Sequence, residues 1–180
     1  MYNDILDFCF NEAGSKKFFE KDLAFDKLLI ERYSDILEQA AAAEFYTWRS
    51  SIQGRLAEII ILDQFSRNIY RNKPAAFAQD AMCLVLAQEA VAAGALEALE
   101  TVDECKFVLM PYMHSESKLI HQQAEKLFKQ YTNADTIDAE LKHKVTIDRF
   151  GRYPHRNDIL GRVSSSEEIE FLTQPDSSFL

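Results

Sequence analysis

Apolar residues in this chain recur at intervals of three and four, and β-branched residues nowhere alternate with polar ones over a sustained run. Such spacing lays an apolar stripe along an α-helix, whereas a half-buried strand needs a period of two. Over residues 22–43 the stripe is Phe25, Leu28, Leu29, Tyr33, Ile36 and Leu37. Over residues 52–71 it is Ile52, Leu56, Ile59 and Ile60. Only five Gly and four Pro occur in 180 residues, too few turn formers for a many-stranded sandwich or barrel. The class is therefore all-α.

Capping signals divide the chain. Asp80 is expected to cap a helix that runs through Ala93 and stops at Gly94. Thr101-Val102-Asp103-Glu104 has capping-box form and opens a helix toward Met113, with Pro111 expected to kink or break it near its end. Ser115 is the expected cap for a helix over 116–131, and a loop over 132–135 leads into a helix ending at Phe150, before Gly151. A short helix is expected after Asn157, ending by Gly161. Ser164 and Glu167 form another box that opens a last short helix to Leu172. This predicts eight to ten helices in one domain over residues 1–180, with an irregular tail over about 173–180 whose Phe179 and Leu180 could dock on the body. Short loops imply antiparallel helix pairs. No clear repeat at a 34-residue period is present, so any repeat-like architecture is degenerate.

Acids outnumber bases 29 to 20, a net charge of −9, which disfavours nucleic acid as a partner. Cys9, Cys83 and Cys105 are odd in number and lack CxxC spacing, as expected of buried thiols in a reducing compartment rather than of disulfides or a metal site. The N-terminus is acidic where a signal peptide would be basic. The longest strongly apolar run, residues 59–62, falls far short of the roughly 20 residues of a membrane span. These features predict a soluble cytoplasmic protein with no membrane partner.

Two segments concentrate polar side chains. On a helix, Ile52, Leu56, Ile59, Asp63, Arg67 and Tyr70 share one stripe, so Asp63 and Arg67 lie where the buried face continues, four apart with the acid first, the better order for an ion pair. Arg71 is one turn on, and Gln64 and Asn68 pair on the adjacent stripe. The second segment, Arg149-Phe150-Gly151-Arg152-Tyr153-Pro154-His155-Arg156-Asn157, continues to Arg162. Over residues 142–162 six Lys and Arg face two Asp, +4 in a chain of −9. Six of the nine Arg fall in these two segments, and Arg suits forked recognition of carboxylate or phosphate. Asn157 could cap a helix whose N-terminal N–H groups add to an anion site.

His114, just past Pro111, and His143, on a stripe with Ile147 and Phe150, are the candidate acid/base catalysts. His121 lies on a polar stretch and is expected to be exposed. Each motif also has a plainer reading: buried ion pairs, a solvated basic turn, core histidines. No HExxH, paired Cys, P-loop, GxGxxG or GxSxG pattern occurs, so no metal or cofactor is expected.

Four motifs, in order, carry a resemblance. They are Asp63-Gln64-Phe65-Ser66-Arg67-Asn68-Ile69-Tyr70-Arg71, Phe77-Ala78-Gln79-Asp80, Pro111-Tyr112-Met113-His114-Ser115-Glu116, and the segment from Arg149 to Asn157 with Leu160-Gly161-Arg162. They resemble the bacterial domain of unknown function 924 family over most of the chain. The chain departs from that family's pattern in having Cys9 at a usual Trp position and Ser66 at a usual Pro, while Trp48 fits it. The resemblance implies an all-helical fold similar to tetratricopeptide-like arrays and brings no activity, substrate or cofactor.

Three functions follow. In the first, Asp63, Gln64, Arg67, Asn68, Arg71, Glu116, Arg149, Arg152, His155, Arg156 and Asn157 line a cleft for a small carboxylate or phosphate, with His114 and His143 available for acid/base work. In the second, stacked helix pairs form a groove for a peptide, with exposed aromatics such as Tyr46, Trp48 or Tyr153. In the third, the motifs are a polar network that fixes how the helices cross. Oligomeric state is not legible.

Overall fold

The computed structural model describes residues 1–175 and Ser177, and among them there is no strand. The expected docking of Phe179 and Leu180 lies outside the described residues. The chain opens with α1 (Tyr2–Asp7), which runs into a π-helical turn (Phe8–Glu12) and then a 3-10 turn (Ser15–Phe19). Next come α2 (Leu23–Ala41) and the 3-10 turn Tyr46–Ser50. A continuous rod follows, made of α3 (Ile52–Ile60), a second π-helical turn (Ile61–Phe65) and α4 (Ser66–Ile69). The 3-10 turn Pro74–Phe77 leads to α5 (Asp80–Ala92), α6 (Ala95–Ala98), α7 (Val102–Met113), α8 (Lys118–Tyr131) and α9 (Ala134–Phe150). The 3-10 turn Pro154–Arg156 and α10 (Ser166–Leu172) complete it.

Several boundaries follow their sequence signals. Asp22 accepts hydrogen bonds from the Ala24 and Phe25 amides at the start of α2. Thr101 and Glu104 cap each other's backbone at α7. Gly94 and Gly151 stop their helices in the left-handed region, at φ +79° and +69°, where a Cβ would be strained.

Others differ. Asp80 begins α5 but makes no cap bond, because its carboxylate is committed to two arginines. Pro111 does not break α7, which continues to Met113; so near the end, the missing N–H costs one internal bond. Ser117, not Ser115, precedes α8, and the last capping box is Ser165 with Glu168, one residue later than expected. No helix follows Asn157: it ends the 3-10 turn, and residues 157–161 are turns closed by Gly161 at φ +65°. Asn157 therefore offers no helix N-terminus to an anion; its Nδ2 donates to Ser164 Oγ instead.

The rod is the centre of the molecule. Every residue from Leu56 to Ser66 is buried, so it is covered on all sides rather than along one stripe. Phe65 lies 5.7 Å from Phe18 in a stacked pair and 4.9 Å from Tyr33, and Phe8 adds a 4.9 Å contact to Tyr33. Of its two acids, Glu58 and Asp63, Glu58 is fully buried and takes a forked pair of bonds from Arg49 at 2.6 and 2.8 Å.

α7, α8 and α9 pack as successive neighbours. Lys118 near the start of α8 reaches the Asp148 carbonyl near the end of α9 (2.7 Å), while His121 meets Glu140 further along (2.7 Å). The partner number falls as the α8 number rises, so this pair is antiparallel, and a tetratricopeptide-like description fits such stacking. Among the described residues, Pro74–Ala92 is long and apolar enough by composition to cross a membrane, longer than the run noted in the sequence. In the fold it is interrupted between the 3-10 turn and α5, and it carries Asp80.

Candidate functional site

The site begins at the π-helical turn Ile61–Phe65. A π turn holds one more residue than an α turn and shifts the register of all that follows; such turns recur at functional sites. Asp63, Gln64 and Asn68 come out 1%, 2% and 1% exposed. Arg67 on α4 and Arg71 just beyond it line a cleft that the C-terminal turn closes from the other side.

That cleft has a cavity volume of about 90 Å³. Three guanidinium groups line it, from Arg67, Arg71 and Arg156, with three imidazoles, from His114, His143 and His155. Phe18, Phe19, Phe77 and Tyr153 supply aromatic walls, and Gln64 and Asn68 supply amides. No Asp or Glu is among the described lining residues.

The carboxylates stand behind the arginines. Asp63 accepts from Arg67 at 2.9 Å, and Asp80 bridges Arg67 (2.9 Å) and Arg156 (3.0 Å). Asp26 takes a fork from Arg71, at 2.6 and 2.8 Å, and a bond from Asn68 Nδ2 at 3.0 Å. The Arg156 guanidinium lies 4.6 Å from the centres of both the Phe77 and Tyr153 rings, two cation–π contacts. Burial, and repulsion from Arg67, press its pKa downward. Its buried Nε has no hydrogen-bond partner among the described residues, nor does Asn68 Oδ1.

Asp63 also meets His114, with Oδ1 2.7 Å from Nδ1. Burial pushes the Asp63 carboxyl up, but Arg67 and His114 outweigh it and hold it at about 2. Burial and then Arg67 lower the His114 imidazole below its usual range, against the pull of Asp63. At neutral pH His114 is therefore uncharged, with Nδ1–H donating to Asp63. Nε2 is then an acceptor, and it has no partner among the described residues. Carboxylate-fixed tautomers of this kind orient general bases. Burial depresses the imidazoles of His143 and His155 to about 3, and His143 Nδ1–H donates to the Ala139 carbonyl at 2.7 Å.

The C-terminal turn also caps α7. Helix ends leave carbonyls without internal partners. Here Tyr153 Oη donates to Met113 O and Arg156 Nη2 to His114 O at 3.0 Å, while from α8 His121 Nε2 donates to Ser115 O at 2.8 Å. His121 is thus fully buried rather than exposed, with Nδ1 2.7 Å from the buried Glu140. Its polar sequence neighbours hid an inward position on α8, on the buried side with Ala124 and Phe128.

The sequence candidates therefore separate. Gln64, Arg67, Asn68, Arg71, His114, His143, His155 and Arg156 line one cleft, and Asp63 stands directly behind it. Arg149 is exposed and lies over Phe150 instead. Arg152 forks onto Glu168 at 2.6 and 2.8 Å. Glu116 is held by Arg162 and by the Tyr153 amide, and Asn157 faces Ser164. Of the aromatics a peptide groove would expose, Tyr46 is exposed, Trp48 stacks on Phe45 and Tyr153 is fully buried. Sequence reasoning missed Asp26, Phe18 and Phe19, which come from elements without a motif. Among the described residues no group of three or more His, Cys, Asp or Glu side chains is placed to hold a metal ion.

A family model described as a bacterial protein of unknown function, DUF924, matches residues 5–176. A solved structure of a protein of unknown function, ATU0120 from Agrobacterium tumefaciens, is 33% identical. It superposes with a TM-score of 0.89 over 95% of this chain and 96% of that one. No curated protein matches.

Proposed function

This chain belongs to the DUF924 family of bacterial proteins, and from its own cleft we propose that it binds a small anion, a carboxylate or a phosphate group, between Arg67, Arg71 and Arg156. One observation carries the reading: three guanidinium groups converge on a cavity that no described carboxylate lines, their counter-charges all lying behind them. A network serving packing alone has no need to leave a hollow on its cationic side. An anion there would offset the Arg67–Arg156 repulsion. Hydrogen bonds from guanidinium to an anion are charge-assisted and among the stronger ones in proteins.

The volume favours a small group. About 90 Å³ is below the roughly 150 Å³ of an engineered cavity that accepts benzene, so one carboxylate or phosphate head fits and an extended peptide does not. Beside it, His114 Nε2 is a neutral acceptor fixed by Asp63, suited to taking a proton from a bound ligand or water. The reading is thus of an anion site equipped for general-base chemistry.

A thermal-shift screen of phosphate and simple carboxylates tests it, with Arg67→Ala and Arg156→Ala as controls. The expected result is a ligand that raises the melting temperature of the parent and of neither variant. Silence across all anions, or equal shifts in the variants, would overturn it.

A further inference from the structure

A second cavity lies against the first and has a different character. It has a volume of about 440 Å³. Phe77, His114 and Arg156 line both cavities, so the two share a border. The rest of the second cavity's lining is mostly apolar, from Pro74, Ala78, Ala81, Leu84 and Leu160. The carboxylates that line it, Asp80 and Glu116, are each neutralised by arginine. A free inorganic anion would leave this larger, half-apolar space without a purpose. His114 belongs to both cavities, and its one unpartnered ring nitrogen is Nε2.

We propose that the ligand is an organic anion in two parts: a carboxylate or phosphate head in the arginine cleft and an apolar body in the second cavity, with His114 at the junction. This rests on the anion reading above and narrows its substrate class to acyl, alkyl or aryl anions. The head supplies orientation through charge, and the body supplies affinity through apolar area removed from water. A group to be acted on would lie where the two parts join, within reach of His114. In this scheme Leu84 and Leu160 select the body, while Arg67 and Arg71 are indifferent to it.

The experiment titrates the protein by NMR with straight-chain carboxylates from acetate to hexanoate, and with inorganic phosphate. Ala81→Trp, which fills the second cavity from an exposed helix position, and Leu160→Gln, which removes apolar wall, serve as variants. In the parent, affinity is expected to rise about three- to fourfold per added methylene, and in Ala81→Trp to stay flat while acetate binds as before. Leu160→Gln should reduce the gradient. Acetate and phosphate binding with no dependence on chain length would overturn this proposal and leave the anion site standing. A gradient unchanged in both variants would overturn it too, placing the body elsewhere. No binding of any anion by the parent would overturn the underlying reading itself.

Discussion

Arg156 reaches Asp80 across 76 positions of sequence, Nη1 to Oδ2 at 3.0 Å, and so fastens the C-terminal turn to the start of α5. Asp80 also holds Arg67, so one carboxylate sets two walls of the cleft. Asp80→Ala would leave two largely buried guanidinium groups short of a partner. A loss of about 3 kcal/mol is expected, in line with breaking one side of a buried pair. Urea unfolding measures it; a loss within error would mean the arginines find other partners.

Arg152 gives the contrast. Its fork to Glu168 stands apart from the cleft and is a third exposed on the Arg side. Arg152→Ala is expected to lower the urea midpoint less than Asp80→Ala does and to leave anion affinity as it was. A tenfold weaker affinity would place the basic turn, rather than the cleft alone, in the binding surface.

Asp63 supports protonation of His114, while burial and Arg67 oppose it. Asp63→Asn removes the support and keeps the shape, so the His114 pKa should fall further. Two-dimensional NMR of the imidazole nitrogens reads this directly. A rise or no change would show that the 2.7 Å contact does not govern the ring.

Acid should destabilise the fold in a defined window. His143 and His155 titrate near 3 when folded and near 6.5 when unfolded. Between those values the unfolded chain binds protons that the folded one refuses, so stability falls as pH drops from about 6.5 toward 3. Asp63, held at about 2 against 3.8, extends the loss downward. His143→Phe should flatten the upper part of the curve in urea midpoints measured from pH 7 to 4. An unchanged slope would reassign the effect.

Much of the helical order was legible because capping is local chemistry: Thr101, Gly94 and Gly151 act within a turn of themselves. The cleft was legible in part for the same reason, since Arg67, Asn68 and Arg71 share one helix end. What escaped depends on distance or on register. Nothing in Ile61-Leu62-Asp63-Gln64-Phe65 marks a π turn, which arises from how the rod is packed on every side. Asp26 was passed over because its partners lie 42 and 45 positions away. Arg149 and Arg152 share their composition with Arg156, and only the turn between them decides which one faces inward.

The capping of α7 by Tyr153 and Arg156 also bears on biosynthesis. A nascent chain that has emerged only through α9 already carries Arg67, Arg71, Asp63 and Asp80, yet it lacks the third guanidinium and the donors that finish the α7 terminus. On the proposed anion reading, binding needs the chain through Arg156, and cleavage before residue 153 is expected to abolish it while most of the helical body is still present.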